Sequence, residues 1–123
     1  IRIETEAKLY IQERIKLGDF FLAWSYILDY ENSANPFPEK KETIANWKTY
    51  AKVDIGESKS ILLIANEFYA NHIKAKDALH ISCAVSLNCD YFITTDRSII
   101  RKMNNFDRIK VISPIDFINN LNL

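Results

Sequence analysis

Tyr91-Phe92-Ile93-Thr94-Thr95-Asp96 joins three strand-forming residues to two hydroxyls and a carboxylate. Aromatic and β-branched side chains suit a pleated, partly buried strand. Arg97 to Met103 then reads as a short helix, which leaves Asp96 at the carboxyl end of the strand, where open α/β sheets hold their ligands.

Working outward, Ile109-Lys110-Val111-Ile112-Ser113 reads as a further strand, and Pro114 opens a terminal helix through Ile118. Upstream, Ala78 to Leu87 is apolar or small on nearly every side, the pattern of an interior helix. Asp77 stands at its start. A helix from Glu57 precedes it, with Ile61, Ile64, Ala65 and Phe68 on one side and its end near Tyr69 to His72.

In the first half, Ile3, Ala7, Tyr10, Ile11 and Ile15 recur at helical spacing, and Gly18 supplies a left-handed stop after Leu17. Phe20 to Trp24 reads as a strand buried on both faces. Ser25 caps a helix from Tyr26 to about Ala34 that carries Glu31. Pro38 opens another helix, with Ile44, Trp47 and Ala51 as its apolar stripe. Val53 to Gly56 is a connector or a very short edge strand. This alternation predicts a single α/β domain over 1–123, with a parallel sheet covered by helices on both faces. The opening helix needs a sheet to pack on, yet only three strands are clear.

Length and composition narrow the function. The 123 residues make one domain-sized chain, 48% hydrophobic and 26% charged, which excludes a disordered polymer. No apolar run reaches the roughly 20 residues of a spanning helix, and residues 1–6 carry acids where a secretory signal needs an apolar core. A cytoplasmic protein with no membrane partner is expected. Sixteen basic and sixteen acidic residues cancel, so any contact with nucleic acid depends on local arrangement and not on bulk charge. Two cysteines, Cys83 and Cys89, make neither a disulfide framework nor a four-ligand zinc site. Both are read as small hydrophobes on a buried helix. With two glycines in the chain there is no phosphate-binding glycine loop, and no nucleophile elbow is present.

Three acids share one positional logic. Glu31 follows the first strand, Asp77 begins the interior helix and Asp96 ends a strand. Carboxylates that converge need a cation, and oxygen ligands favour magnesium or manganese. Such a centre suits hydrolysis of a phosphodiester by metal-activated water. The plainer reading stands beside it: Asp77 and Asp96 are good helix N-caps, and Glu31 is a solvated helix residue. His80 is expected as a partly buried hydrogen-bonding residue and His72 as a helix-end residue. Lys74, Lys76, Arg97, Arg101 and Lys102 flank the acids and could hold phosphates.

Lys76-Asp77-Ala78-Leu79-His80, Asp90 to Asp96 and Lys110 to Phe117 together resemble the carboxyl-terminal half of a PIN-domain protein of the VapC toxin type, across Ala75 to Ile118. The resemblance implies a three-layer fold with a central parallel sheet. It further implies a metal-dependent endoribonuclease, the toxin of a type II toxin-antitoxin pair, with Mg2+ or Mn2+ as cofactor, RNA as substrate and a cognate antitoxin as partner. It is compatible with a homodimer. By position, Glu31, Asp77 and Asp96 resemble the family's catalytic metal ligands, with Asp29 as the alternative to Glu31. Thr95 resembles the hydroxyl residue before the last acid, and Asp116 a structural position. The family's first strand, which carries an Asp, has no counterpart here. An amino-terminal segment ahead of Ile1 is the expectation, with a truncated product or a partner-supplied strand as alternatives, and a non-catalytic interaction module remains the rival function.

Overall fold

The computed structural model describes residues 2–121, with seven helices and four strands among them. The order is α1 (Arg2–Lys16), β1 (Leu22–Ser25), α2 (Tyr26–Ser33), α3 (Pro38–Lys48), β2 (Ala51–Ile55), α4 (Lys59–Tyr69), α5 (Ala75–Ser86), β3 (Tyr91–Ile93), α6 (Arg97–Lys102), β4 (Lys110–Ile112) and α7 (Pro114–Leu121). The fold is mixed α/β.

Its strands form two separate parallel pairs among the described residues, β1 with β2 and β3 with β4. In the first pair Trp24 faces Asp54 and Ser25 faces Ile55; in the second Phe92 faces Val111. β2 is the longest strand and starts at Ala51, where the sequence suggested a connector or a very short edge strand over Val53 to Gly56. Ala51 to Ile55 was hard to read because a weakly apolar, largely exposed strand carries neither the alternation nor the continuous apolar run that signals burial. Lys52 and Asp54 put charges on it, a common guard on an edge strand. β1 departs from expectation too, since Trp24 is buried but Phe21, just before the strand, is 78% exposed. The chain there is covered mainly on one side.

Helices supply most of the core. On α4 the buried residues Ile61, Ala65 and Phe68 recur at helical spacing, and on α5 Ala78, Ile81, Ser82 and Cys83 are buried. The two helices pack closely, small Ala65 and Ala78 leaving room for Phe68 and Ile81 in one cluster with Ile99, Met103, Ile109 and Val111. α5 also touches α2, β1 and β3, so it connects the two strand pairs. A second cluster joins Ile11 of α1 to Ile112 and Phe117, with Phe20 edge-on to the Phe117 ring at 5.3 Å between centroids. Burial of each large aliphatic side chain contributes about 1.5–3 kcal/mol.

Helix ends follow the expected chemistry only in part. Gly18, at φ 84, takes the left-handed conformation that a Cβ disfavours. His72 also lies at positive φ, just past the end of α4. Ser58 caps α4 by accepting from the Ile61 amide. Ser25 precedes α2 without a side-chain cap bond and is buried. α3 stops at Lys48 and buries none of its residues, because Ala51 of the expected stripe belongs to β2. Cys83 is buried on α5, whereas Cys89 lies beyond the helix and is half-buried.

Candidate acidic site

Glu31 lies in the last turn of α2, six residues past the end of β1. Its side chain crosses to α5. Oε1 is 2.6 Å from His80 Nε2 and Oε2 is 3.4 Å from Lys76 Nζ. A carboxylate oxygen accepts, so His80 Nε2–H is the donor. The His80 side chain is 18% exposed and that of Glu31 32%, so the contact is largely shielded from water. Glu31 is therefore not a solvated helix residue. His80 is the partly buried hydrogen-bonding residue that its apolar setting suggests.

Lys76 and His80 are four residues apart, on one face of α5, so they meet the same carboxylate from successive turns. Asp77 lies between them in sequence, in the first turn and half-buried. It is not the cap. The helix begins at Ala75, and Lys74 is the N-cap residue, without a side-chain cap bond. An acid in the first turn still favours the helix through the dipole, which is why spacing alone could not separate cap from first-turn residue.

Asp96 does cap α6. Its Oδ1 accepts from the Ser98 amide at 2.9 Å and the Ile99 amide at 3.3 Å. The Asp96 amide donates to Thr94 Oγ1 at 3.2 Å, so Thr94, and not Thr95, is the hydroxyl tied to this turn. The carboxylate is exposed at the strand end, with Oδ2 outside both cap bonds.

Asp29 is two residues from Glu31, about 200° around the helix. It faces the other way and accepts from Trp24 Nε1 and Lys48 Nζ, each at 2.9 Å. The Lys48 bond first, and then the indole N–H, holds its carboxyl below the usual carboxylate range. Asp29 belongs to the β1–α3 side of the molecule, and Glu31 is the acid that reaches α5.

The structure thus brings Glu31 to the turn of α5 that carries Asp77, and leaves Asp96 on its own helix cap. Among the described residues no three His, Cys, Asp or Glu side chains group so as to hold a metal ion. The oxygen donors are of the hard type that Mg2+ or Mn2+ requires, but both oxygens of Glu31 face groups of the protein itself. As placed, these residues do not fit a bound divalent ion. An open depression of about 670 Å3 lies at the amino-terminal ends of β3 and β4, lined by Asn88, Asp90, Tyr91, Arg108, Lys110 and Asn120 among others, and includes none of the three acids. Of the flanking cations, Lys76 engages Glu31, and Lys102 donates to the His72 carbonyl at 2.9 Å, closing α6 onto the α4–α5 link.

No protein-family model matches this sequence, and no curated protein matches it. No helix among the described residues is long and apolar enough to cross a membrane.

Proposed function

We propose that this chain is an endoribonuclease domain of the PIN type, the toxin of a toxin-antitoxin pair, whose strand pairs belong to one central sheet in a three-layer fold. The observation that carries the reading is the meeting of Glu31 with the first turn of α5. An acid following the first strand reaches Lys76 in that turn, beside the second acid, and His80 one turn further on, the latter across 49 residues of sequence. RNA is the proposed substrate and Mg2+ or Mn2+ the proposed cofactor. A bound divalent ion would supply activated water and neutralise phosphate charge. Because the acids as placed do not enclose an ion, the roles assigned to Glu31, Asp77 and Asp96 are those of candidate ligands.

RNA cleavage by the purified protein in Mg2+ or Mn2+ tests the reading, with Asp96→Asn as the paired variant. Asparagine remains a good N-cap, so the helix is kept while the charge is lost. Cleavage is expected from the parent and not from the variant. Equal cleavage by both removes Asp96 from the chemistry, and none by either leaves the second reading.

That second reading, a non-catalytic interaction module, is favoured by one specific observation: Glu31 is already satisfied by His80 and Lys76. The same cleavage assay separates the two.

A further inference from the structure

The groups that meet the Glu31 carboxylate are a histidine and a lysine, not further acids. We propose that Glu31, His80 and Lys76 form a metal-independent centre that cleaves RNA by transesterification, with His80 Nδ1 as the general base, Glu31 as the positioning residue behind it and Lys76 as the phosphate contact. The proposal rests on the reading of RNA as the substrate and takes nothing from the metal.

The tautomer decides the chemistry. A carboxylate accepts, so Glu31 Oε1 at 2.6 Å holds the proton of His80 on Nε2. In a neutral imidazole the other nitrogen, Nδ1, then carries the lone pair. Among the described residues no group of the protein bonds to Nδ1, and Nδ1 is not one of the buried side-chain atoms left without a partner. It therefore reaches solvent. A base with its lone pair turned outward and a carboxylate fixed behind it is the arrangement that activates a hydroxyl as a nucleophile. Lys76 stands one turn earlier on the same face of α5, 3.4 Å from Glu31 Oε2, with its side chain 72% exposed. Its ammonium can turn from the carboxylate to a phosphate oxygen without opening the core.

In the proposed step Nδ1 accepts the proton of a ribose 2′-hydroxyl. The 2′ oxygen bonds to the adjacent phosphorus as the bond from phosphorus to the 5′ oxygen breaks, which gives a 2′,3′-cyclic phosphate and a 5′-hydroxyl. Water supplies the proton of the leaving oxygen, and the imidazolium returns its own to water, so the centre ends as it began. While the ring is charged, the Glu31 carboxylate lies against it. No oxidant or reductant enters. Attack by water, in contrast, does not use the 2′-hydroxyl and forms no cyclic phosphate, so the products separate the two routes.

The experiment incubates the full chain with an end-labelled RNA and with a 2′-deoxy strand of the same sequence, in EDTA and in Mn2+, and identifies the product ends. A circular dichroism melt accompanies each variant. Cleavage of the RNA in EDTA to cyclic-phosphate ends is expected, with the 2′-deoxy strand left intact. A general base contributes about 100- to 10,000-fold, so His80→Ala should lower the rate in EDTA by about that factor, and added imidazole should restore part of it. Lys76→Gln should slow the same reaction, and Glu31→Gln, which keeps an acceptor for Nε2–H, should retain more activity than Glu31→Ala. The 2′-deoxy strand needs no variant, so the test holds even where His80→Ala folds poorly. Cleavage in Mn2+ alone, or equal cleavage of the two strands, overturns the metal-independent centre while the nuclease reading stands. Full activity of His80→Ala in EDTA overturns it as well. If no RNA is cleaved in either condition, the nuclease reading fails and this proposal with it.

Discussion

One Asp96 oxygen caps the α6 backbone and the other lies outside those bonds, so the carboxylate has room for both the cap and the proposed role in the centre. Substitution separates them. Asp96→Ala should lower stability by about 1 kcal/mol, the usual worth of an N-cap, and Asp96→Asn should leave the melting temperature nearly unchanged. Thermal melts of the pair check this, and Asp96→Asn is then the clean variant for cleavage assays. Asp29 makes a prediction in pH. Its carboxyl is depressed in the folded protein, chiefly by Lys48 and then by Trp24. Ionised Asp29 therefore adds stability above the unfolded value near 3.9, and that contribution is lost as pH falls through the lower folded value. In urea unfolding followed from about pH 6 down to about pH 2, the parent should exceed Asp29→Asn at the upper end and converge with it at the lower. A gap that persists unchanged to the lowest pH would show that the ion pair is not its source. Position 31 shows what sequence could not supply, since nothing in Tyr30-Glu31-Asn32 announces a partner 49 residues away.

At the level of elements, the packing of α4 on α5 dominates. Phe68 is 1% exposed and meets the Phe106 ring edge-on at 5.1 Å between centroids. Phe68→Ala should cost about 3–5 kcal/mol, as expected for a buried aromatic removed from a close-packed site. Chemical denaturation measures it. A loss below about 1 kcal/mol would mean that the cluster around Ile99 and Met103 collapses into the space. These helices were legible because their periodicity is strong: Ile61, Ala65 and Phe68 share one face, and α5 is apolar all round. β2 and the true length of α3 were not, because exposed elements carry little hydrophobic pattern, and Ala51 suits a helix by propensity but is recruited by β1.

At the scale of the molecule, the four short strands among the described residues form two pairs held together mainly through helices. A two-stranded sheet is marginal by itself in water. Backbone amides of α4 and α5 should therefore show the slowest hydrogen exchange, and those of β2 the fastest among the strands, given its exposed residues. Exchange mapped by mass spectrometry tests the ordering. Slow exchange throughout β2 would point to a covering surface in solution. The thiols follow the same division. Burial pushes the Cys83 thiol up, against a smaller opposing effect from the Ser25 hydroxyl, and also raises that of Cys89.

Local signals by themselves determined the mixed α/β class, the interior character of α5, the Gly18 stop and the positions of the acids along the chain. They could do so because periodicity, capping and turn chemistry act within a few residues. Tertiary structure alone decided that the strands lie in two pairs and that Glu31, not Asp29, turns toward α5. It also decided that His80 and Lys76 both reach the Glu31 carboxylate. Those outcomes depend on contacts between residues far apart in sequence, set by how helices settle on one another, and no short stretch of chain contains that information.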